Sequence, residues 1–251
     1  MDEPSAMEAY LDYGAATPMD PRVVDAMRPY LSERFWNPSA PYARAREAKH
    51  ALEEAHVRLA RVIGARADGI TLTAGATEAN NLAFAVTDGA VVVDAIEHES
   101  VLACAGVRPH VVVGVDACGR VDPTAVAVAL TPEVGLVSIG LANGEIGTVQ
   151  PVREIARVVA RERRRRLEVS ERRPLWLHVD ASQAAGYLSV NVSSLGADLL
   201  TLSAAKVYGP KQVGLLWAAD GVELRPLVLG GGQEGGLRSG TENVRLSLPR
   251  R

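Results

Sequence analysis

Seven short apolar runs, spaced along the chain by amphipathic or turn-rich stretches, set the main constraint on its fold. They are GITLTAG (69–75), AVVVDAIEH (90–98), HVVVGVDA (110–117), VGLVSIGLA (134–142), LWLHVDAS (175–182), ADLLTLSAA (197–205) and QVGLLWA (212–218). Nearly continuous runs rich in Val, Leu and Ile mark strands buried on both faces, as in parallel sheets. Helical stretches lie between several of them: ATEANNLAFAV (76–86), VDPTAVAVAL (121–130) and PVREIARVVARERRRR (151–166), the last opened by proline, a favoured first-turn residue. Before the first strand, SAPYARAREAKHALEEAHVRLARVIG (39–64) reads as one long amphipathic helix stopped by glycine. The expected class is α/β, a mostly parallel sheet with helices on both faces.

Composition narrows the function classes. The 251 residues are enough for one large or two modest domains with a sizeable core. Aromatics make up only 4%, so that core must be built mainly from Ala, Val and Leu. A net charge of -3 gives no global attraction to nucleic acid or to an anionic membrane. Two cysteines, Cys104 and Cys118, make neither a disulfide framework nor a metal site. The polar opening MDEPSAMEAY lacks the pattern of a signal peptide, and no apolar run reaches membrane-spanning length. The expected location is the cytoplasm. RERRRRLEVSERR (161–173) is arginine-rich but interspersed with Glu, and reads as a solvated helix end.

Ligands of open α/β sheets bind beyond the carboxyl ends of the strands. Those ends carry Gly75-Ala76-Thr77, His98, Asp180 with Gln183, and Ser203 with Lys206. Each has an ordinary structural explanation alone: a turn and helix cap, a structural histidine, a capping Asp, a lysine reaching solvent. Together they assemble one chemistry. A lysine amine can join an aldehyde, a glycine turn feeding a helix offers N–H groups to a phosphate, and an aspartate can keep a pyridine nitrogen protonated. A ring such as His98 can stack on a flat cofactor. These are the parts needed to bind pyridoxal 5′-phosphate. Dinucleotide and phosphosugar sites share several of them, but the chain has no G-x-G-x-x-G after the first strand and no G-x-x-x-x-G-K-[ST].

The ordered motifs YLDYGAATPMDPRV (10–23), TAGATEANNLA (73–83), EHES (97–100), NGEIGTVQP (143–151), HVDASQAAG (178–186), SAAKVYGPKQVG (203–214) and GGGQEGGLRSGTENV (230–244) resemble the cysteine desulfurases of the NifS/IscS type, in the class V aminotransferase group. The resemblance implies the large domain of a fold type I pyridoxal 5′-phosphate transferase. It implies that Lys206 carries the cofactor and shuttles the Cα proton. Asp180 would pair with the ring nitrogen, Gln183 with the ring hydroxyl, and His98 would stack. Ala76, Thr77 and Ser203 would hold the phosphate. Thr241 would reach the phosphate in the other subunit of a homodimer. L-cysteine would be the substrate and a sulfur-acceptor or scaffold protein the partner.

The match departs from the family in places. Ala205 stands where the family has a phosphate-site histidine, Gly144 where it has a cofactor-contacting Asn, and Gln233 where a His is common. The family continues into a small C-terminal domain with the nucleophilic cysteine loop; this chain ends at RLSLPRR. The expected organisation is an N-terminal segment (1–20), a cofactor-binding large domain (21–244) and a divergent tail (245–251). It reads as a truncated or frame-shifted product whose turnover is in doubt. Cys104 reads as packed and Cys118 as exposed in a Cys-Gly turn. The alternatives are another class V lyase, such as a selenocysteine lyase, and a non-catalytic homologue that dimerises with a full-length desulfurase.

Overall fold

A computed structural model describes residues 9–244, so the expected tail at 245–251 lies outside the described residues. The seven apolar runs become β1 (Ile70–Thr73), β2 (Ala90–Asp94), β3 (His110–Val113), β4 (Val134–Gly140), β5 (Trp176–Asp180), β6 (Leu199–Ser203) and β7 (Gly214–Ala218). They form one sheet in the order β1-β7-β6-β5-β4-β2-β3. Strand β7 runs antiparallel to β1 and β6, and every other pair is parallel. The expected α/β class holds. Each strand is shorter than its apolar run, and in all but β7 the last residues of the run leave the sheet at its carboxyl edge. Those overhangs hold the chemistry.

The helices are α1 (Pro21–Met27), α2 (Pro29–Ser32), α3 (Ala43–Ile63), α4 (Ala76–Phe84), α5 (Glu99–Gly106), α6 (Pro123–Ala129), α7 (Val152–Glu168) and α8 (Val192–Leu195). Helix α3 starts later than the sequence pattern, just after Pro41, and ends on Gly64 in the left-handed conformation. Helices α1, α2, α5 and α8 are too short for periodicity to reveal. Side-chain caps mark three of them: Asp20 accepts from the Arg22 amide, His98 from the Ser100 amide and Asn191 from the Ser194 amide. No helix among the described residues is long and apolar enough to cross a membrane.

Strand alternation divides the core in two. Val92, Val137, Ile139, Val179 and Leu200 face a layer containing Ile155, Val158 and Val159 of α7, with Val126 of α6. Val91, Val93, Leu136, Leu199 and Leu216 face Leu82 and Phe84 of α4 and Val101 of α5. Period-two burial on both faces is what a helix-covered sheet requires.

The arginine-rich run is partly structural rather than wholly solvated. Arg166 is 2% exposed. Its Nη1 donates to Val134 O (2.9 Å), its Nη2 to Thr131 O (2.9 Å), and its Nε pairs with Glu162 (3.0 Å) and Glu171 (3.2 Å). Arg163 donates to Leu175 O (2.7 Å) and pairs with Asp198. The end of α7 is thereby clamped to the loops that enter β4 and β5. Replacing Arg166 with Met leaves the Val134 and Thr131 carbonyls without their donor and removes the buried one of the two arginines, Arg165 and Arg166, that pair with Glu162 and Glu171. The expected loss is about 3–5 kcal/mol of stability in a urea titration, against under ~1 kcal/mol for the exposed Arg164.

Candidate active site

At the carboxyl edge of the parallel strands lies a cleft of ≈ 510 Å³. Every residue nominated from the sequence lines it except Thr241. Thr241 is exposed in a separate depression beside Thr17 and Lys211.

One wall is the start of α4. Gly75 has φ +125°, ψ 175°, a conformation that side-chain-bearing residues rarely adopt, and a Cβ there would meet nothing within 4 Å. The helix has no side-chain cap, so its first amides, at Ala76 and Thr77, lack intrahelical acceptors and border the cleft. Ser203, buried at the end of β6, stands on the same wall. Uncapped helical amides and a hydroxyl form a donor set suited to an anion.

The floor is Asp180, at the end of the central strand β5. Its Oδ1 accepts the Ser182 amide (2.9 Å) and its Oδ2 accepts Asn80 Nδ2 (2.8 Å). A carboxylate has acceptor capacity beyond those two bonds. Asn80 also donates to Ser100 Oγ (2.9 Å), and Ser100 Oγ lies 2.8 Å from His98 Nδ1. The Ser100 amide donates to the same Nδ1 (3.1 Å), so the proton of the neutral ring is left on Nε2. Asn80 and Ser100 were not nominated from the sequence. The available signal was a polar residue on the buried face of a helix, since Asn80 is 0% exposed. Beneath the floor, buried His178 is flanked by Ser138 Oγ (2.8 Å) and Thr201 Oγ1 (2.9 Å), tying β4, β5 and β6 together. Burial pushes its pKa down to about 4, so it is neutral at pH 7.

Lys206 sits in a single 3₁₀ turn, Ala204–Lys206, directly after β6. The residue is half-buried, and Nζ donates to Gly14 O and Ala15 O, both at 2.7 Å. Gln183 Nε2 donates to the same Gly14 O (2.9 Å). Gly144 is matched to Gln183: a Cβ at Gly144 would come within 2.5 Å of Gln183 Nε2. The space left by the missing side chain is taken by that amide.

Asp94, Glu97, Glu99 and Glu145 also line the cleft, and the first two are held above the usual carboxylate range. Asp94, at the end of β2, accepts the Ile96 amide (2.9 Å), and burial pushes its pKa up to about 6. Glu97 accepts the Gly140 amide (2.5 Å). Burial, then the charges of Asp94 and Asp180, push its carboxyl well above the usual carboxylate range. Cys104 is buried in α5, where burial raises its thiol pKa; Cys118 is exposed, and neither lines the cleft. Among the described residues no group of side chains is arranged to hold a metal.

Two predictions follow from this geometry. The stability that Asp94 contributes is complete below the unfolded carboxylate value of about 3.9 and is lost as pH rises through about 6. Asp94→Asn keeps the acceptor for Ile96 and removes that loss. At pH 7.5 it should raise unfolding free energy by up to about 3 kcal/mol, with no gain at pH 3.5. A variant equally stable or less stable at pH 7.5 would contradict this. In Gly144→Ala, the new methyl should displace the Gln183 amide from Gly14 O, seen as a changed shift of that side-chain amide by NMR.

Comparison with known proteins places this geometry. The aminotransferase class-V family model matches residues 9–244. Cysteine desulfurase IscS of Dictyoglomus turgidum is 40% identical over 249 residues, covering 94% of this chain and 60% of that protein. Cysteine desulfurase IscS 1 of Archaeoglobus fulgidus is 40% identical over 248 residues, covering 94% and 62%. Among solved structures, a NifS-like protein superposes with TM-score 0.89 at 33% identity, over 96% of this chain and 67% of that one. A structure described as SspA in complex with cysteine superposes with TM-score 0.86 at 35% identity, over 95% and 70%. The chain spans about 60% of the length of the curated relatives it matches. On this sequence match and this fold, the chain belongs to the aminotransferase class-V family.

Proposed function

We propose that this chain is the cofactor-binding part of a pyridoxal 5′-phosphate-dependent cysteine desulfurase, acting on L-cysteine to give alanine and sulfur for iron-sulfur cluster or thio-cofactor assembly. Class V aminotransferases depend on that cofactor. The observation that carries the reading is the convergence on one cleft of Lys206 Nζ, the Asp180 carboxylate and the uncapped start of α4.

The residues present fit the group. Ala76 and Thr77 amides with Ser203 Oγ would hold its phosphate, and the open space over Gly75 leaves room for it. Asp180 would hold a proton on the ring nitrogen with the acceptor capacity left after its bonds to Asn80 and Ser182. The second N–H of Gln183 Nε2 is left for the ring hydroxyl. His98, oriented through Ser100, would cover one ring face. When bound, pyridoxal 5′-phosphate supplies an electron sink for the bond broken at the substrate Cα. Lys206 Nζ is the base placed to remove and return the Cα proton.

The sulfur-accepting thiol in this reading comes from outside the described residues, because neither Cys104 nor Cys118 lines the cleft. The same observation supports a second reading, a non-catalytic homologue paired with a full-length desulfurase. Thr241 is exposed outside the cleft, which supports its service to a second copy in a homodimer.

Purified protein mixed with pyridoxal 5′-phosphate should gain a visible absorbance band that borohydride bleaches, leaving a mass tag on Lys206. Lys206→Ala should lack both, and Ser203→Ala should weaken cofactor affinity about 10-fold. No band in the native chain would overturn the reading. Sulfide released on adding L-cysteine favours the desulfurase; a band without sulfide favours the non-catalytic homologue.

A further inference from the structure

Lys206 does not end in solvent or in an apolar pocket. Its amine is held by two consecutive backbone carbonyls, Gly14 O and Ala15 O, at 2.7 Å each. Those carbonyls belong to a turn far away in sequence, spanning residues 13–15. The turn is itself fastened. The Ala15 amide donates to Asp12 Oδ1 (3.1 Å) and Asp12 O (3.2 Å). Tyr10 Oη lies 2.6 Å from Asp12 O and 3.0 Å from Ala16 O.

Downstream, the same segment is bound to the turn that carries the lysine. Thr17 donates twice to Ala205 O, from its amide (3.0 Å) and from Oγ1 (2.9 Å). Tyr208, strained at φ 60°, donates its amide to Thr17 Oγ1 (2.8 Å) and accepts from the Asp20 amide (3.0 Å). Strained backbone persists where surrounding contacts over-determine it. Lys206 and its two acceptors are therefore parts of one fastened unit.

We propose that the Gly14–Ala15 turn is a cradle for the free amine of Lys206, and that Asp12 is the positioning residue that keeps the cradle in shape. The proposal rests on the reading that Lys206 captures an aldehyde cofactor. A lysine ammonium has three N–H donors and can satisfy both carbonyls. Capture of an aldehyde forms a C=N bond and releases the aldehyde oxygen as water, with no change in electron count. The nitrogen then keeps at most one hydrogen, so the two contacts cannot both survive. A contact made only by the free amine shifts the balance toward that form by its differential energy. The cradle therefore sets how readily Lys206 gives itself to an aldehyde and holds the lysine once it is released. Asp12 is exposed and does not line the cleft, so it acts only through the turn.

The chain has only three lysines, Lys49, Lys206 and Lys211, so each can be followed by mass spectrometry. Lys49 and Lys211 are exposed and serve as internal references. The protein freed of cofactor is treated with trinitrobenzenesulfonate, and separately with pyridoxal 5′-phosphate followed by borohydride. Asp12→Ala should raise the labelling rate of Lys206 roughly 5-fold with either reagent, about the effect of losing one ordinary hydrogen bond, and leave Lys49 and Lys211 unchanged. Asp12→Asn keeps an Oδ1 acceptor and should behave as the native chain. Tyr10→Phe, which removes the phenol clasp, should raise the rate in the same direction.

An unchanged Lys206 rate in both Asp12→Ala and Tyr10→Phe would overturn the cradle. So would an equal rise at all three lysines, which reports general loosening. If trinitrobenzenesulfonate gives the expected pattern while pyridoxal 5′-phosphate leaves no tag on native Lys206, the cradle stands and the cofactor reading falls.

Discussion

A half-buried carboxylate at the end of the central strand of a covered sheet needs hydrogen-bond donors in place of the water it loses. Asp180 meets that requirement through the Ser182 amide and Asn80 Nδ2. Much of the site is arranged by that requirement. Asn80 must be polar on an otherwise apolar helix face, and it fixes α4 against the strand end. Its second contact orients Ser100, which orients the His98 ring. Three side chains, from α4 and the start of α5, thus take their positions from one acid.

The acids around Asp180 sharpen this arrangement. Asp94 and Glu97 line the same cleft, and their carboxyls are held above the usual range. Three ionised carboxylates this close would repel one another at low dielectric. For Glu97, burial and then the charges of Asp94 and Asp180 favour the protonated form. Glu97 also accepts the Gly140 amide, and Gly140 pairs with Asp180 in the sheet. It therefore braces the strand beside Asp180.

The architecture was legible in the sequence because burial on both faces writes continuous apolar runs, and all seven runs became strands. The strand-end residues were legible because glycine, lysine and aspartate are out of place at the ends of such runs. The short helices were not, because a helix of about one or two turns has too few positions to show a period. Nor were the acceptors of Lys206. Gly14 lies 192 residues away, and a backbone carbonyl leaves no mark on residue identity. The role of Arg166 was hidden for a related reason: its neighbours in sequence are solvated arginines, while its partners include carbonyls 32 and 35 residues away.

Gly144 shows why departures from a pattern are better read in pairs than singly. Taken alone it is a lost side chain at the site. In the fold, a Cβ there would collide with the Gln183 amide, which occupies that volume and bonds to Gly14 O. That same Gly14 O also receives Lys206. The absence of a side chain at 144 is thus connected, through one amide and one carbonyl, to where the reactive lysine rests. Ala205 belongs to the same unit, since its carbonyl takes both donors of Thr17 and so anchors the segment bearing Gly14. Both departures lie on the path that joins the N-terminal turn to the lysine. Restoring a side chain at either position acts on that unit as a whole, not only on a contact with a ligand.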